Sequence, residues 1–424
     1  MLRVIASRDG EAVDAILRGR ASRLSEAERV VGPILEAVRD RGDEALFEYA
    51  RRLDGLESPP ARVPESSLQE ALESLQPPFV AAARVAAARI RSYAEHQMPS
   101  EWMVPAGQGI ELGQLVRPLA SIGAYIPGGR YPLPSTVMMT AVPALAAGVR
   151  RIAIASPRPS LETLGTAALL GLREVHAVGG AQAVAALAFG TESIPSVDRI
   201  VGPGNVYVAA AKRLLAGTAA IDFVAGPTEI VLVFDKGNSK ALAADMLAQA
   251  EHDVDAAAVL LTPSAKLASA VASEIERQIR TLPTREVAVR SIRANSAAIV
   301  TESLQEACDI ANRLAPEHLA VSEAVPLSEV RNAGSVFVGT WSPEAAGDYA
   351  AGPNHVLPTS GASRVRGGLS VLDYVKVISV QRLTEEGLRG LAPAIATLAR
   401  AEGLEAHARS IEVRTGPLGG ASRA

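Results

Sequence analysis

From about residue 115 onward, short apolar runs alternate with stretches whose apolar positions recur at helical spacing. Runs at 120–126, 151–155, 175–178 and 199–201 read as buried strands, and 134–147, 161–172 and 181–189 read as the helices between them. A second series follows, with strands at 229–234, 257–261, 298–301, 319–322 and 336–338 and helices between most of them. Strands that are apolar throughout and separated by helices build parallel sheets covered on both faces. Two such blocks of similar length predict two related α/β domains.

The flanks read differently. Ser25 caps a helix reaching Arg39, with Glu26 and Glu28 in the first turn complementing its dipole and Pro33 interrupting it. Residues 66–96 read as one or two further helices, interrupted near Pro77-Pro78. Beyond about 370 the alternation ends, and 384–411 reads as two helices broken near Pro393 and Gly403. This tail is too short for a core of its own, so it packs on its own body or on another subunit.

Composition narrows the function classes. The 424 residues suit roughly two to four domains. Aromatic residues are 4% of the chain, so the core is built from Ala, Val, Leu and Ile, which argues against a stacking platform for single-stranded nucleic acid. With 42 basic and 46 acidic residues and no long basic run, nucleic acid and anionic membrane are poor partners. Cys308 is the single cysteine, which rules out an internal disulfide and a cysteine-only metal cluster and is compatible with a reducing cytoplasm. The N-terminus lacks a signal-peptide core, and the longest apolar stretch, 136–149, is too short to span a bilayer. The expectation is a soluble cytoplasmic protein.

Three segments carry candidate chemistry. Ala315-Pro316-Glu317-His318-Leu319 sets a carboxylate beside an imidazole, and Pro316 stops the preceding helix at Leu314 or Ala315. These are the side chains most used to move protons near neutral pH. Glycine-rich turns at 125–129, 179–182 and 202–205 follow strands and precede helices, a place where backbone N–H groups meet phosphate. Tyr125, Gln182 and Asn205 add hydrogen-bonding side chains there, although no G-x-G-x-x-G fingerprint is present. Finally, Gln249 and His252 lie three apart and share a helical face, while Asp348 and His355 fall in one turn-rich loop and His407 in the tail. A mixed set of amide, imidazole and carboxylate suits zinc or a similar ion and not calcium, with Glu251, Asp253 and Asp255 as rival ligands. His96 reads as a surface residue and His176 as structural.

Taken together, these segments resemble the histidinol dehydrogenase family. The resemblance rests on Y-I-P-G-G at 125–129, G-G-A-Q-A-V-A-A-L-A-F-G-T-E-S at 179–193, G-P-G-N at 202–205, A-G-P-T-E at 225–229, Q-A-E-H at 249–252, A-P-E-H-L at 315–319 and G-D-Y-A-A-G-P-N-H-V-L-P-T at 347–359. It implies a four-electron oxidation of L-histidinol through histidinaldehyde to L-histidine, with reduction of two NAD. It further implies one zinc per subunit on Gln249, His252, Asp348 and His407, with His407 given by the other copy of a homodimer. Glu317 and His318 become the catalytic pair, and Tyr125, Gln182 and Asn205 the NAD contacts. Thr228, His355 and Glu402 join Gln249, His252, His318, Asp348 and His407 around the substrate. Serine is usual in the family where this chain has Thr228; the hydroxyl is kept and a methyl is added.

The implied architecture is two related, incomplete Rossmann-like parallel-sheet domains with a helical N-terminal region and a small C-terminal helical tail. Residues 1–20 pack with the tail. Residues 20–124 and 229–369 form the first α/β domain, with the metal and catalytic residues; 125–228 form the NAD-binding domain; and 370–424 form the tail and dimer contact. Alternatives are a paralogous NAD-dependent dehydrogenase of another small polar alcohol and, more remotely, a zinc hydrolase using the same pair on water.

Overall fold

The computed structural model describes residues 1–18, 24–57, 62–128 and 132–416. Of these, the residues within 1–97 and 119–374 form one compact unit, and those within 98–118 and 375–416 form a second.

The first unit holds two all-parallel sheets. In the six-stranded sheet the order is Arg3–Ala6, Ala297–Val300, Ala257–Thr262, Glu229–Val233, His318–Val321 and Ser335–Val338. In the five-stranded sheet it is Glu174–His176, Arg151–Ala155, Ser121–Tyr125, Arg199–Val201 and Ala220–Ile221. Strands such as Glu229–Val233 and Ala257–Thr262 are buried at every position, as a sheet covered by helices on both faces requires. The two anticipated α/β blocks and their strand-helix alternation are both present.

The N-terminal region departs from the anticipated division. Arg3–Ala6 is an edge strand of the six-stranded sheet, paired in parallel with Ala297–Val300. The helix Leu24–Arg41 runs through Pro33 and turns Leu24, Ala27, Val31, Ile34, Leu35 and Val38 inward. That face packs on the helices Gly180–Phe189 and Val206–Leu215, beside the five-stranded sheet, although the sequence reading groups residues 20–124 with the other sheet. Alanine-rich helix faces accept its branched side chains closely, and this complementarity decides the placement.

The second unit contains an antiparallel sheet ordered Val375–Leu383, Ile110–Pro118, Trp102–Gly107, which the sequence reading does not anticipate. Trp102–Gly107 is exposed along its whole length, so no buried face imposes a period-two pattern on it. Two helices, Glu385–Ala401 and Glu405–Thr415, complete the unit. The break expected at Pro393 does not occur: the helix continues, anchored by Ala396 and Ala399 against Ala408. It ends instead at Gly403, whose φ of 77° reverses the chain. Among the described residues, no helix is long and apolar enough to cross a membrane.

One ion-pair cluster ties the edge of the five-stranded sheet. Arg151 donates to both oxygens of Glu174 at 3.0 and 2.8 Å, and the buried His176 lies 3.1 Å from the same carboxylate. Burial opposes the Glu174 charge, but His176 and Arg151 outweigh it and hold the carboxyl down to about 2. A depressed carboxyl stabilises the fold above its unfolded value, and that contribution is lost as pH falls toward 2. Allowing for partial solvent access, Glu174→Gln is expected to cost about 1–2 kcal/mol near neutral pH. Urea melts should show the gap between variant and parent narrowing below about pH 4.

Candidate active site

Glu317 and His318 lie at the amino edge of the six-stranded sheet. The helix Leu304–Leu314 ends on Ala315, which adopts a left-handed conformation with φ of 47°; this strained cap and the following Pro316 turn the chain into the strand His318–Val321. Ser363 Oγ donates to Pro316 O at 2.9 Å, and Ser335 N donates to Glu317 O at 2.9 Å, fixing the loop from both sides. Gly334 sits so close that a Cβ there would fall 2.6 Å from Glu317 O.

Both side chains are buried, Glu317 at 6% and His318 at 4% exposure. Glu317 Oε2 accepts from Thr228 Oγ1 at 2.5 Å and from Glu229 N at 2.9 Å. Burial pushes the Glu317 carboxyl above its ordinary range against the pull of His318 and these donors. His318 Nδ1 faces two acceptors, Glu229 O at 3.2 Å and Glu344 Oε1 at 3.1 Å, which places a proton on that nitrogen. Nε2 has no hydrogen-bond partner and lies 3.6 Å from Asp348 Oδ1. Burial alone would lower the imidazole, but Glu344, Glu317 and Asp348 outweigh it and carry His318 up to about 10. Asp348 is held below the ordinary range despite its burial, by His318 first and then by His355 and His252.

Several anticipated residues converge on this pocket. Gln249, fully buried at the end of the helix Ser239–Ala250, lies 2.7 Å from Thr228 Oγ1. The amide orientation that satisfies both ends has Nε2 donating to Glu344 at 2.5 Å and Oε1 facing the Thr228 hydroxyl at 2.7 Å, whose single proton is shared between Gln249 and Glu317. His355 Nδ1 donates to Asp348 O at 2.7 Å, and burial lowers its ring. His252 is exposed, but its charge is felt at Asp348 and His355. Glu402 and His407 belong to the second unit and are exposed there. Ligand-type atoms of His318, Glu344 and Asp348 lie within 4.8 Å of one another, so the pocket can hold a cation. Glu344 is missing from the sequence reading, because Ser342-Pro343-Glu344 carries no local signal of its partners.

The glycine turns occupy the carboxyl edge of the five-stranded sheet. Tyr125 Oη accepts from Gly180 N at 3.1 Å, and burial pushes its phenol up to about 12. Gln182 Nε2 and Gly179 N both donate to Asp54 Oδ2, at 3.0 and 3.1 Å, while the buried Gln182 Oε1 has no partner. Asp54 is a second residue the sequence reading misses; burial pushes its carboxyl up. Asn205 caps the helix Val206–Leu215 through Tyr207 N and Val208 N. Gly202 has φ of 107° and sits on Tyr125 O with no room for a Cβ. The buried Lys212–Asp222 pair clamps that turn, Lys212 donating to Gly202 O at 2.9 Å and Asp222 accepting from Gly202 N at 2.8 Å. Gly129, Arg130 and Tyr131 lie outside the described residues.

A buried acid-base pair with a cation pocket, on an α/β scaffold carrying glycine-rich turns, defines an enzyme. The sequence model of the histidinol dehydrogenase family matches residues 17–415, and the chain belongs to that family, which makes it an oxidoreductase. It is 50% identical over 398 residues to a histidinol dehydrogenase of Geobacillus kaustophilus, covering 92% of this chain and 94% of that one. Against a histidinol dehydrogenase of Thermus thermophilus the identity is 49% over 393 residues, 91% and 94% of the two chains. The crystal structure of a histidinol dehydrogenase from Elizabethkingia anophelis superposes with a TM-score of 0.92 at 33% identity, covering 97% of this chain and 98% of that one.

Proposed function

We propose that this protein oxidises L-histidinol to L-histidine through L-histidinaldehyde, closing histidine biosynthesis, with two NAD per turnover and one zinc per subunit. The observation that carries the reading is the buried Glu317–His318 pair, whose imidazole Nε2 is unpartnered beside Asp348. The donor chemistry fits zinc: Gln249, His252 and Asp348 supply an amide oxygen, an imidazole and a carboxylate, and His407 of a second copy supplies the fourth ligand. The pocket also gathers Glu317, Glu344 and Asp348 around one imidazole, an excess of negative charge that a divalent cation relieves. When bound, zinc would orient the amino and imidazole nitrogens of the substrate, and NAD would take the hydride.

The chain's own residues then move the protons. His318 takes the alcohol proton at Nε2, because Nδ1 already faces Glu229 O and Glu344. Glu317 activates the water that hydrates the aldehyde, and His318 again serves as base for the second oxidation. Thr228 joins Glu317 to Gln249 through its hydroxyl, coupling the water activator to a zinc ligand. His355 and Glu402 complete the substrate contacts, and Tyr125, Gln182 and Asn205 the NAD contacts. The protein works as a cytoplasmic homodimer, without nucleic acid or membrane.

The test is NADH formation from L-histidinol with zinc present. Two NADH per L-histidinol consumed is the expected result. No NADH overturns the reading, and a single NADH with accumulating aldehyde reduces the protein to an alcohol dehydrogenase. For the cofactor site, Asp54→Ala removes the acceptor that holds Gly179 and Gln182. It is expected to raise KM for NAD roughly ten-fold, with KM for L-histidinol unchanged in steady-state assays.

A further inference from the structure

The family resemblance assigns no role to Glu344, yet it is among the most enclosed carboxylates of the first unit, at 3% exposure. It opens the short helix Glu344–Tyr349, and Asp348 follows it by four residues on the same face. The two carboxylates therefore bracket one imidazole. Glu344 Oε1 is 3.1 Å from His318 Nδ1, and Asp348 Oδ1 is 3.6 Å from His318 Nε2. The Gln249 amide donates to Glu344 Oε1 at 2.5 Å in the orientation that satisfies both its ends, so Glu344 is itself held in place.

We propose that Glu344 is the positioning residue for the base: it orients the His318 ring, keeps the proton on Nδ1 and leaves Nε2 to receive the alcohol proton. This rests on the reading of His318 as the base. A neutral imidazole has one donor and one acceptor nitrogen, and the group facing the donor decides which nitrogen is basic. Glu229 O, at 3.2 Å, is a neutral acceptor for the same N–H. Two carboxylates face that side, and Glu344 Oε1 is the nearer at 3.1 Å against 3.8 Å for Glu317 Oε2, so Glu344 contributes most to favouring the imidazolium that forms as the alcohol gives up its proton. Oriented bases of this kind lose most of their effect when the orienting carboxylate is removed.

The test is a double-replacement cycle in the zinc-loaded enzyme. Glu344→Gln keeps the side-chain volume and Glu344→Ala removes it. Both are expected to lower kcat by roughly 10- to 1,000-fold, Ala more than Gln, with KM for L-histidinol within about three-fold and zinc content unchanged. In a His318→Asn background neither is expected to lower kcat further, because Glu344 acts through that ring. Additive losses in that background, or zinc loss reversed by excess zinc, would mean that Glu344 supports the fold or Gln249 instead, and either overturns the proposal. Near-parental kcat in both single variants overturns it too. If His318→Asn alone keeps parental kcat, the underlying assignment of the base fails, a result distinct from the others.

Discussion

Glu317→Gln is expected to leave the oxidation of L-histidinol to the aldehyde running and to stop the aldehyde-to-acid half, cutting L-histidine formation by about 10²–10⁴. The amide keeps the shape of the side chain and can still accept from Thr228 and Glu229 N, so the loop geometry survives. It cannot take a proton from water. Both hydrogen bonds found on the carboxylate go to Oε2, leaving Oε1 as the acceptor for a water. Burial raises the carboxyl, which makes its anion the stronger base. In single turnover, NADH per L-histidinol should fall from two to one and the aldehyde should be trappable with semicarbazide. Parental rates from added aldehyde would remove Glu317 from the role of water activator. The competing route, a thiohemiacetal on cysteine, has only Cys308 available. That thiol is 6% exposed and pushed up by burial, then by Glu329 and Asp309, so it stays protonated. Cys308→Ala is accordingly expected to keep turnover within about two-fold.

What could be read from the chain alone follows from where each element is buried. Strands 151–155 and 199–201 and the helix 134–147 agree with the structure at both ends, because fully buried parallel strands write continuous apolar runs. The antiparallel sheet of the second unit left no such mark, since Trp102–Gly107 and most of Val375–Leu383 face solvent. The placement of Leu24–Arg41 on the five-stranded sheet depends on the alanine faces of distant helices, and a helical period says nothing about which neighbour it meets. The site divides in the same way. Glu317 and His318 are adjacent in sequence, so their pairing was visible at once. Glu344 and Asp54 reach their partners only through the fold, and neither is flanked by a recognisable motif. Asn205, expected at the cofactor, spends its side chain on capping a helix whose N-terminus opens at the same glycine turn. Thr228, expected at the substrate, hydrogen-bonds Glu317, so the threonine that stands where the family usually has serine bears directly on that carboxylate.

Exchange of the tail between two copies predicts that His318→Asn and His407→Asn variants, each inactive alone, regain activity when mixed. His407 lies on the helix Glu405–Thr415 and Glu402 at the turn before it, and both are exposed in the second unit. That unit also exposes Leu398, Val413, Trp102 and Val104, apolar side chains that a second copy would cover. In a mixed dimer with exchanged tails, one site combines both replacements and is dead, while the other receives an intact His318 from its own body and an intact His407 from the other copy. Random reassembly makes about half of the dimers mixed, so about a quarter of all sites should work. The restored sites should show parental KM for L-histidinol and bind zinc in the same proportion. If each chain used its own His407, every site in the mixture would carry one of the two replacements and nothing would be restored. The size of the recovered activity therefore separates a site built by two chains from one built by a single chain.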